Sequence, residues 1–279
     1  MSALERADIP ASTRVVVKVG SSSISGDAAH RIDSIVDALA EAHGRGTEIV
    51  LVSSGAIATA LPLLDLAGRP SDLATQQAAA AVGQNVLMQR YQTSLDRFGL
   101  LAGQVLLTAG DLENPTPRSN ARRAMERLLG LRILPIVNEN DTVATHEIRF
   151  GDNDRLAALV AQLVGADVLV LLSDIESLYT RPPGEPGSRP IRVVDPDDDL
   201  HGFEFGTVVV NSVGTGGAAT KVSAARLAAA SGVGVLVTSA DLVGSALRGD
   251  DIGTWFAPDP RATRPAPTGP VGTVAGPRR

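Results

Sequence analysis

Short, almost unbroken apolar runs alternate along this chain with longer segments in which alanine and leucine recur at helical spacing. The runs at residues 14–19, 48–53, 103–108, 133–138, 167–173 and 233–238 are rich in Val, Ile and Leu and lack polar alternation. That is the pattern of parallel strands covered on both faces. Between them, residues 28–43, 72–98, 119–129, 153–164, 218–231 and 242–248 predict helices. Gly44, Gly99, Gly130, Gly165 and Gly232 follow several of these and are expected to end them in the left-handed conformation. Strands and helices in turn predict an α/β fold, with helices on both faces of a mostly parallel sheet in a three-layer αβα sandwich.

Two stretches break the alternation. Residues 180–190 are rich in Pro and Gly, read as an exposed loop and mark a lobe boundary. Beyond Phe256 prolines and glycines recur without apolar periodicity, so residues 258–279 are expected to form a disordered tail. The expected organisation is one domain over residues 1–257, with a lobe at 1–175 and a second at 176–257.

Composition narrows the function classes. Of 279 residues, 44% are apolar but only 3% aromatic, so aliphatic side chains must fill the core. A net charge of -6 argues against a general electrostatic grip on nucleic acid. The absence of cysteine excludes disulfides, thiolate metal sites and a cysteine nucleophile. The first ten residues carry no signal-peptide pattern, and no run reaches the ~20 apolar residues that cross a bilayer. The expectation is a cytoplasmic protein with no membrane and no nucleic-acid partner.

Ligands of open α/β sheets bind at the carboxyl ends of the strands, so the residues that follow each strand matter most. Lys18 ends the first run and opens into Gly20-Ser21-Ser22-Ser23; Lys221 closes Gly214-Thr215-Gly216-Gly217-Ala218-Ala219-Thr220 and leads a helix. Each unit reads as strand, small-residue turn, helix. Such a turn exposes backbone N–H groups at the positive end of a helix, and a lysine beside it adds a point charge suited to phosphate. Two such sites around one cleft suggest phosphoryl transfer. The second strand ends in Ser53-Ser54-Gly55-Ala56, the fourth in Asn138-Glu139-Asn140-Asp141, and the fifth in Ser173-Asp174. Any one of these serines or acids could simply cap a helix. Phe150-Gly151-Asp152-Asn153-Asp154 puts two carboxylates around one amide where a single cap would do. The excess charge fits a lysine, a magnesium ion or an ammonium group. No histidine metal pattern and no G-x-x-x-x-G-K-[ST] loop appear, and no protein metal ligand is assigned.

Val17-Lys18-Val19-Gly20-Ser21-Ser22, Ser53-Ser54-Gly55-Ala56-Ile57, Asn138-Glu139-Asn140-Asp141, Phe150-Gly151-Asp152-Asn153-Asp154 and Gly214-Thr215-Gly216-Gly217 with Lys221 together resemble the glutamate 5-kinase family of the amino acid kinase superfamily. Gln77-Ala78-Ala79-Ala80-Ala81-Val82-Gly83-Gln84 and Gly253-Thr254-Trp255-Phe256 fit as well, so the likeness runs in order from about residue 13 to 257. It implies the amino acid kinase fold and ATP- and Mg²⁺-dependent conversion of L-glutamate to L-glutamyl 5-phosphate, the first step toward proline. By position it implies that Ser54, Asp141 and Asn153 bind glutamate. Lys18, Ser173, Asp174, Thr215, Gly216, Gly217, Ala218, Ala219, Thr220 and Lys221 would bind ATP. Lys18 and Lys221 would stabilise the transferring group, with Asp154 holding both lysines. It further implies feedback inhibition by L-proline and a homo-oligomer, a dimer or tetramer. Many family members carry a C-terminal PUA domain where this chain has its loose tail, so the resemblance is to a short form.

Other readings of the same residues stay open. Another kinase of the superfamily would act on acetylglutamate, aspartate or UMP. The Gly214–Gly217 turn, with Asp241 after the next strand, also suits a dinucleotide-dependent oxidoreductase, although the third glycine is replaced by Ala219. A ligand sensor on the same fold would bind without turnover.

Overall fold

The structure is a computed structural model in which residues 5–143, 153–198, 200 and 217–263 are described. The apolar runs form β1 (Arg14–Val19), β2 (Glu48–Ser53), β3 (Ala102–Leu107), β4 (Leu134–Glu139), β5 (Val168–Ser173) and β7 (Gly234–Ser239). Two short strands, β6 (Val193–Val194) and β8 (Thr254–Phe256), complete a sheet of order β3-β4-β2-β1-β5-β7-β8-β6 among the described residues. All pairs are parallel except β7 with β8. The mostly parallel α/β sandwich expected from the run pattern is therefore the architecture found.

The helices are α1 (Arg31–Gly44), α2 (Ala56–Ala60), α3 (Leu73–Asp96), α4 (Ala109–Glu113), α5 (Pro115–Gly130), α6 (Asn153–Val164), α7 (Ala218–Ala229) and α8 (Val243–Arg248). They cover two faces. Val15, Val17 and Val19 of β1 pack with α1, α3 and α8. Val16 packs on the opposite face with α5, α6 and α7. Because side chains alternate along a strand, Lys18 shares the face of Val16. None of the described helices is long and apolar enough to cross a membrane.

The sheet's lower end is locked by Arg14. Its buried guanidinium makes a bidentate pair with Glu126 of α5 at 2.8 and 3.0 Å and reaches Glu48 at 2.8 Å. Asp167 accepts the backbone N–H groups of Thr13 and Arg14. These contacts set the relative heights of β1, β2 and β5, and so where their upper ends stand.

Several expectations need correction. The short elements α2, α4, β6 and β8 were not predicted, since two to five residues hold no usable periodicity. Gly44 and Gly130 do not close their helices in the left-handed form. They are the last helical residues, and Gly46 (φ 102°) and Arg132 (φ 61°) take the left-handed positions instead. The guanidinium of Arg132 binds the carbonyl of His43 and approaches His43 Nδ1 at 3.1 Å. The expected loop at 180–190 is closed at its base by a bridge between Tyr179 and Pro190. The first residues of the expected tail are tied down: Asp259 N–H donates to the Ala229 carbonyl at 2.9 Å, and Arg261 pairs with Asp197 at 2.9 Å. Residues 264–279 lie outside the described residues.

Candidate active site

Lys18 does not sit at a sheet edge. It pairs in register with Val52 of β2 on one side and Leu171 of β5 on the other, in the centre of the sheet, and is only 4% exposed. An ammonium group buried there must be compensated. The partner is Asp154, the second residue of α6, which is 0% exposed. Lys18 Nζ lies 2.5 Å from Asp154 Oδ1, and Lys221 Nζ lies 3.0 Å from Asp154 Oδ2. Lys221 comes from the first turn of α7 and is 6% exposed. Two lysines far apart in the chain thus meet on one carboxylate.

The electrostatics of this cluster are one-sided. Burial alone would raise the carboxyl pKa of Asp154, but the charges of Lys18 and then Lys221, with their hydrogen bonds, overcome that and hold it at about 2. Two ammonium groups and one carboxylate leave a formal charge of +1 among side chains with almost no solvent. The amino-terminal ends of α6 and α7, each 12 residues long, converge on the same place and add the positive ends of their dipoles. Such a place favours an anion.

Around it stand the other candidates. Thr220 Oγ1 donates to the Gly217 carbonyl at 2.8 Å and lies 3.3 Å from Asp154 Oδ2, while Gly217 N–H donates to Thr220 Oγ1 at 3.1 Å. Ala218 and Ala219 occupy the same first turn of α7. Thr215 and Gly216 lie outside the described residues, as do Gly214 and residues 150–152. Ser173 ends β5 on the lysine face, two residues past the level of Lys18, and its hydroxyl donates to Asp174 Oδ1 at 3.1 Å. Gly20 turns the chain directly after β1, with Lys18 Nζ 3.7 Å from where a Cβ would stand.

A second group adjoins the first through the bond between Asn153 and Asp154. Asn153 Nδ2 donates to Ser54 Oγ (2.9 Å), the Ser53 carbonyl (3.1 Å) and Asn138 Oδ1 (2.9 Å). Asn138 Nδ2 in turn donates to Gln84 Oε1 at 2.8 Å. Below them the buried hydroxyls of Ser53 and Tyr91 are 2.9 Å apart, and burial pushes the Tyr91 pKa up. Gly55, with φ 96°, makes the turn from β2 into α2 that presents Ser54. Asp141, in the turn after β4, lines a cavity of ≈ 300 Å³ together with Gln84, Glu139 and Asn140. The Ser54–Asn153 pair is thus linked through Asn138 to Gln84, which lines the same cavity as Asp141. Asn138 and Gln84 carry no role in the sequence reading. Asn138 stood in a quoted motif, and Gln84 gave no signal beyond its place in one, because a glutamine inside a helix reads as a surface residue.

Among the described residues no three His, Cys, Asp or Glu side chains are grouped to hold a metal ion. Asp241, which a dinucleotide site would use for ribose, faces Arg31 at 3.2 Å.

The comparisons with known proteins agree with this geometry. The model of the amino acid kinase family matches residues 13–239. A glutamate 5-kinase of Leifsonia xyli subsp. xyli is 69% identical over 254 residues, which are 91% of this chain and 94% of that protein. The one of Clavibacter michiganensis subsp. michiganensis is 68% identical over 258 residues, covering 92% and 99%. A longer relative, the glutamate 5-kinase of Thermobifida fusca, is 55% identical over 257 residues that make up 66% of its length. In fold, the carbamate kinase from Giardia lamblia bound to AMP-PNP superposes with a TM-score of 0.64 at 18% identity, over 90% of this chain and all of that one. The chain belongs to the amino acid kinase family, and within it stands among the glutamate 5-kinases.

Proposed function

We propose that the protein transfers the terminal phosphoryl group of ATP to the side-chain carboxylate of L-glutamate, giving L-glutamyl 5-phosphate for proline synthesis. The observation that carries this reading is the meeting of Lys18 and Lys221 on one fully buried carboxylate, Asp154. A pair of ammonium groups held in place beside two helix amino termini suits a reaction in which negative charge lies on the transferring phosphoryl group and builds on the departing ADP.

The chemistry asks little else of the protein. A glutamate side chain, with an ordinary pKa near 4.3, is ionised at neutral pH, so no general base is needed. The obstacle is the repulsion between two anions that must approach in line. Lys18, Lys221 and the backbone N–H groups of the two turns offset that repulsion and meet the charge on the transferred group. Asp154 does not react; it holds both amines in one geometry before the substrates arrive. Among the described residues no group of carboxylates would hold Mg²⁺ on its own, so the ion would arrive with the nucleotide. Asp174, exposed at the end of β5, is the carboxylate suited to reach it or its water. When bound, the ion would neutralise phosphate charge.

On this reading residues 1–175 form the glutamate-binding lobe and 176–257 the ATP-binding lobe, with Lys18, Ser173 and Asp174 of the first reaching the nucleotide at the boundary. Ser54, Asn153 and Asp141 hold the amino acid; Ser173, Asp174 and residues 215–221 hold the nucleotide. L-Proline, which shares the ammonium and carboxylate, competes for the amino acid site, and the chain works in the cytoplasm as a homo-dimer or tetramer. An ATP-dependent hydroxamate assay over a panel of amino acids tests the central claim. Hydroxylamine traps an acyl phosphate, so product is expected with L-glutamate and not with L-aspartate or N-acetyl-L-glutamate. No product with L-glutamate overturns the assignment.

A further inference from the structure

Gln84 lies on α3, in a segment that the phosphoryl-transfer argument leaves unused. It is 8% exposed and lines the ≈ 300 Å³ cavity with Ala80, Ala81, Glu139, Asn140, Asp141 and Thr142. A polar side chain this deep normally has its donors and acceptors satisfied. Which end of each amide points where follows here from backbone groups whose roles are not in question. The N–H of Glu139 can only donate, and it lies 2.9 Å from Asn138 Oδ1. The other atom of that amide, Nδ2, therefore donates, and it reaches Gln84 Oε1 at 2.8 Å. The oxygen of Gln84 is thus taken. Its Nε2 has no partner among the described residues. At the far end, the Ser53 carbonyl can only accept, and it lies 3.1 Å from Asn153 Nδ2. Asn153 Oδ1 is left as a buried acceptor without a partner among the described residues. The row Gln84–Asn138–Asn153 is therefore polarised, offering N–H in the cavity and an oxygen beside Asp154.

We infer that Gln84 reads the α-carboxylate of the amino acid substrate through its Nε2 hydrogens. The inference rests on the proposed function. The reacting carboxylate must lie at the Lys18–Asp154–Lys221 cluster, next to the Asn153 end of the row. The cavity at the Gln84 end then receives the part of the substrate that does not react, which carries one ammonium and one carboxylate. Asp141 attracts the first and repels the second. Gln84 supplies the donor that the second needs. A neutral amide does this without pairing with Asp141, as an arginine or lysine in the same place would.

The test is Gln84→Glu. Glutamate is nearly isosteric and keeps an oxygen for Asn138 Nδ2, so the row and the packing of α3 are retained, while the donor becomes a negatively charged acceptor. The KM for L-glutamate is expected to rise on the order of 100-fold, with kcat and the KM for ATP within about 3-fold of the parent, the scale of losing a hydrogen bond to a charged group and adding repulsion. The α-amide of glutamate, whose neutral carboxamide brings its own N–H groups, should gain against glutamate in kcat/KM. Gln84→Met removes the donor without adding charge and should raise the same KM about 10-fold, which keeps the test available if the acidic variant folds poorly. A KM for glutamate within about 3-fold of the parent in both variants, or an equal loss for glutamate and its α-amide, overturns the inference. Absence of glutamate turnover in the unsubstituted protein would instead overturn the proposed function.

Discussion

Asp154 shows how much one residue can organise. A carboxylate without solvent is costly unless it is paired and hydrogen-bonded. Here it meets two ammonium groups that would be costly in the same way, and the three charges share one solution. On the proposed mechanism, lysines held in place by Asp154 leave little reorganisation for the reaction. Lys18→Ala and Lys221→Ala are each expected to lower kcat by roughly 10²- to 10³-fold in steady-state assays at saturating substrates, the scale of losing one preorganised donor. A kcat within about 3-fold of the parent would remove that lysine from the mechanism. The lysines themselves were legible in the sequence, since each follows or precedes a glycine turn. That Asp154, rather than Asp152 or Asp141, holds both was implied only by resemblance, because spacing does not say which acid a distant lysine will meet.

At the level of elements, the cavity beside Gln84 and Asp141 depends on how closely α2 and α3 approach. Gly83 sits inside α3, where glycine weakens a helix. A Cβ there would stand 1.8 Å from the Ala56 carbonyl oxygen of α2, so no other residue fits without moving a helix. Ala56 lines the cavity, and Gln84 is the next residue along α3. Gly83→Ala is therefore expected to destabilise the protein by about 1–3 kcal/mol, as overpacking does. It should raise the KM for glutamate more than the KM for ATP. Thermal unfolding and the two KM values check this; an unchanged Tm would show that α2 can shift freely. The long apolar and alanine-rich elements were readable from periodicity, whereas α2 was not. It is five residues long, and its place is set by what packs on it.

For the whole molecule, the cluster links folding to pH. The pKa of Asp154 falls from 3.8 in the unfolded chain to about 2 in the folded one. A depressed pKa means the folded state holds the charged form more tightly. The contribution is complete above about pH 4 and is lost as pH falls through about 2. Its size is roughly 2 kcal/mol, from 1.36 kcal/mol per unit. Urea unfolding between pH 5 and 2 should show this decline, and Asp154→Asn should lack that part of it. If both proteins lose stability equally over that range, the coupling of Asp154 to the lysines is weaker than the geometry implies.

The chain on its own determined what local chemistry can specify. Hydrophobic runs and helical spacing set the α/β architecture, glycine turns marked candidate anion sites, and the order of its motifs carried the family. Those properties depend on neighbours in sequence, so they survive without coordinates. Tertiary structure decided which groups face one another. Lys18 lies at the centre of the sheet because β2 and β5 flank it. Gln84 became part of the cavity because Gly83 lets α3 press against α2 and Asn138 turns its amide. Contacts of that kind join residues far apart in the chain, and their direction is set by packing and by backbone hydrogen bonds that no local pattern records.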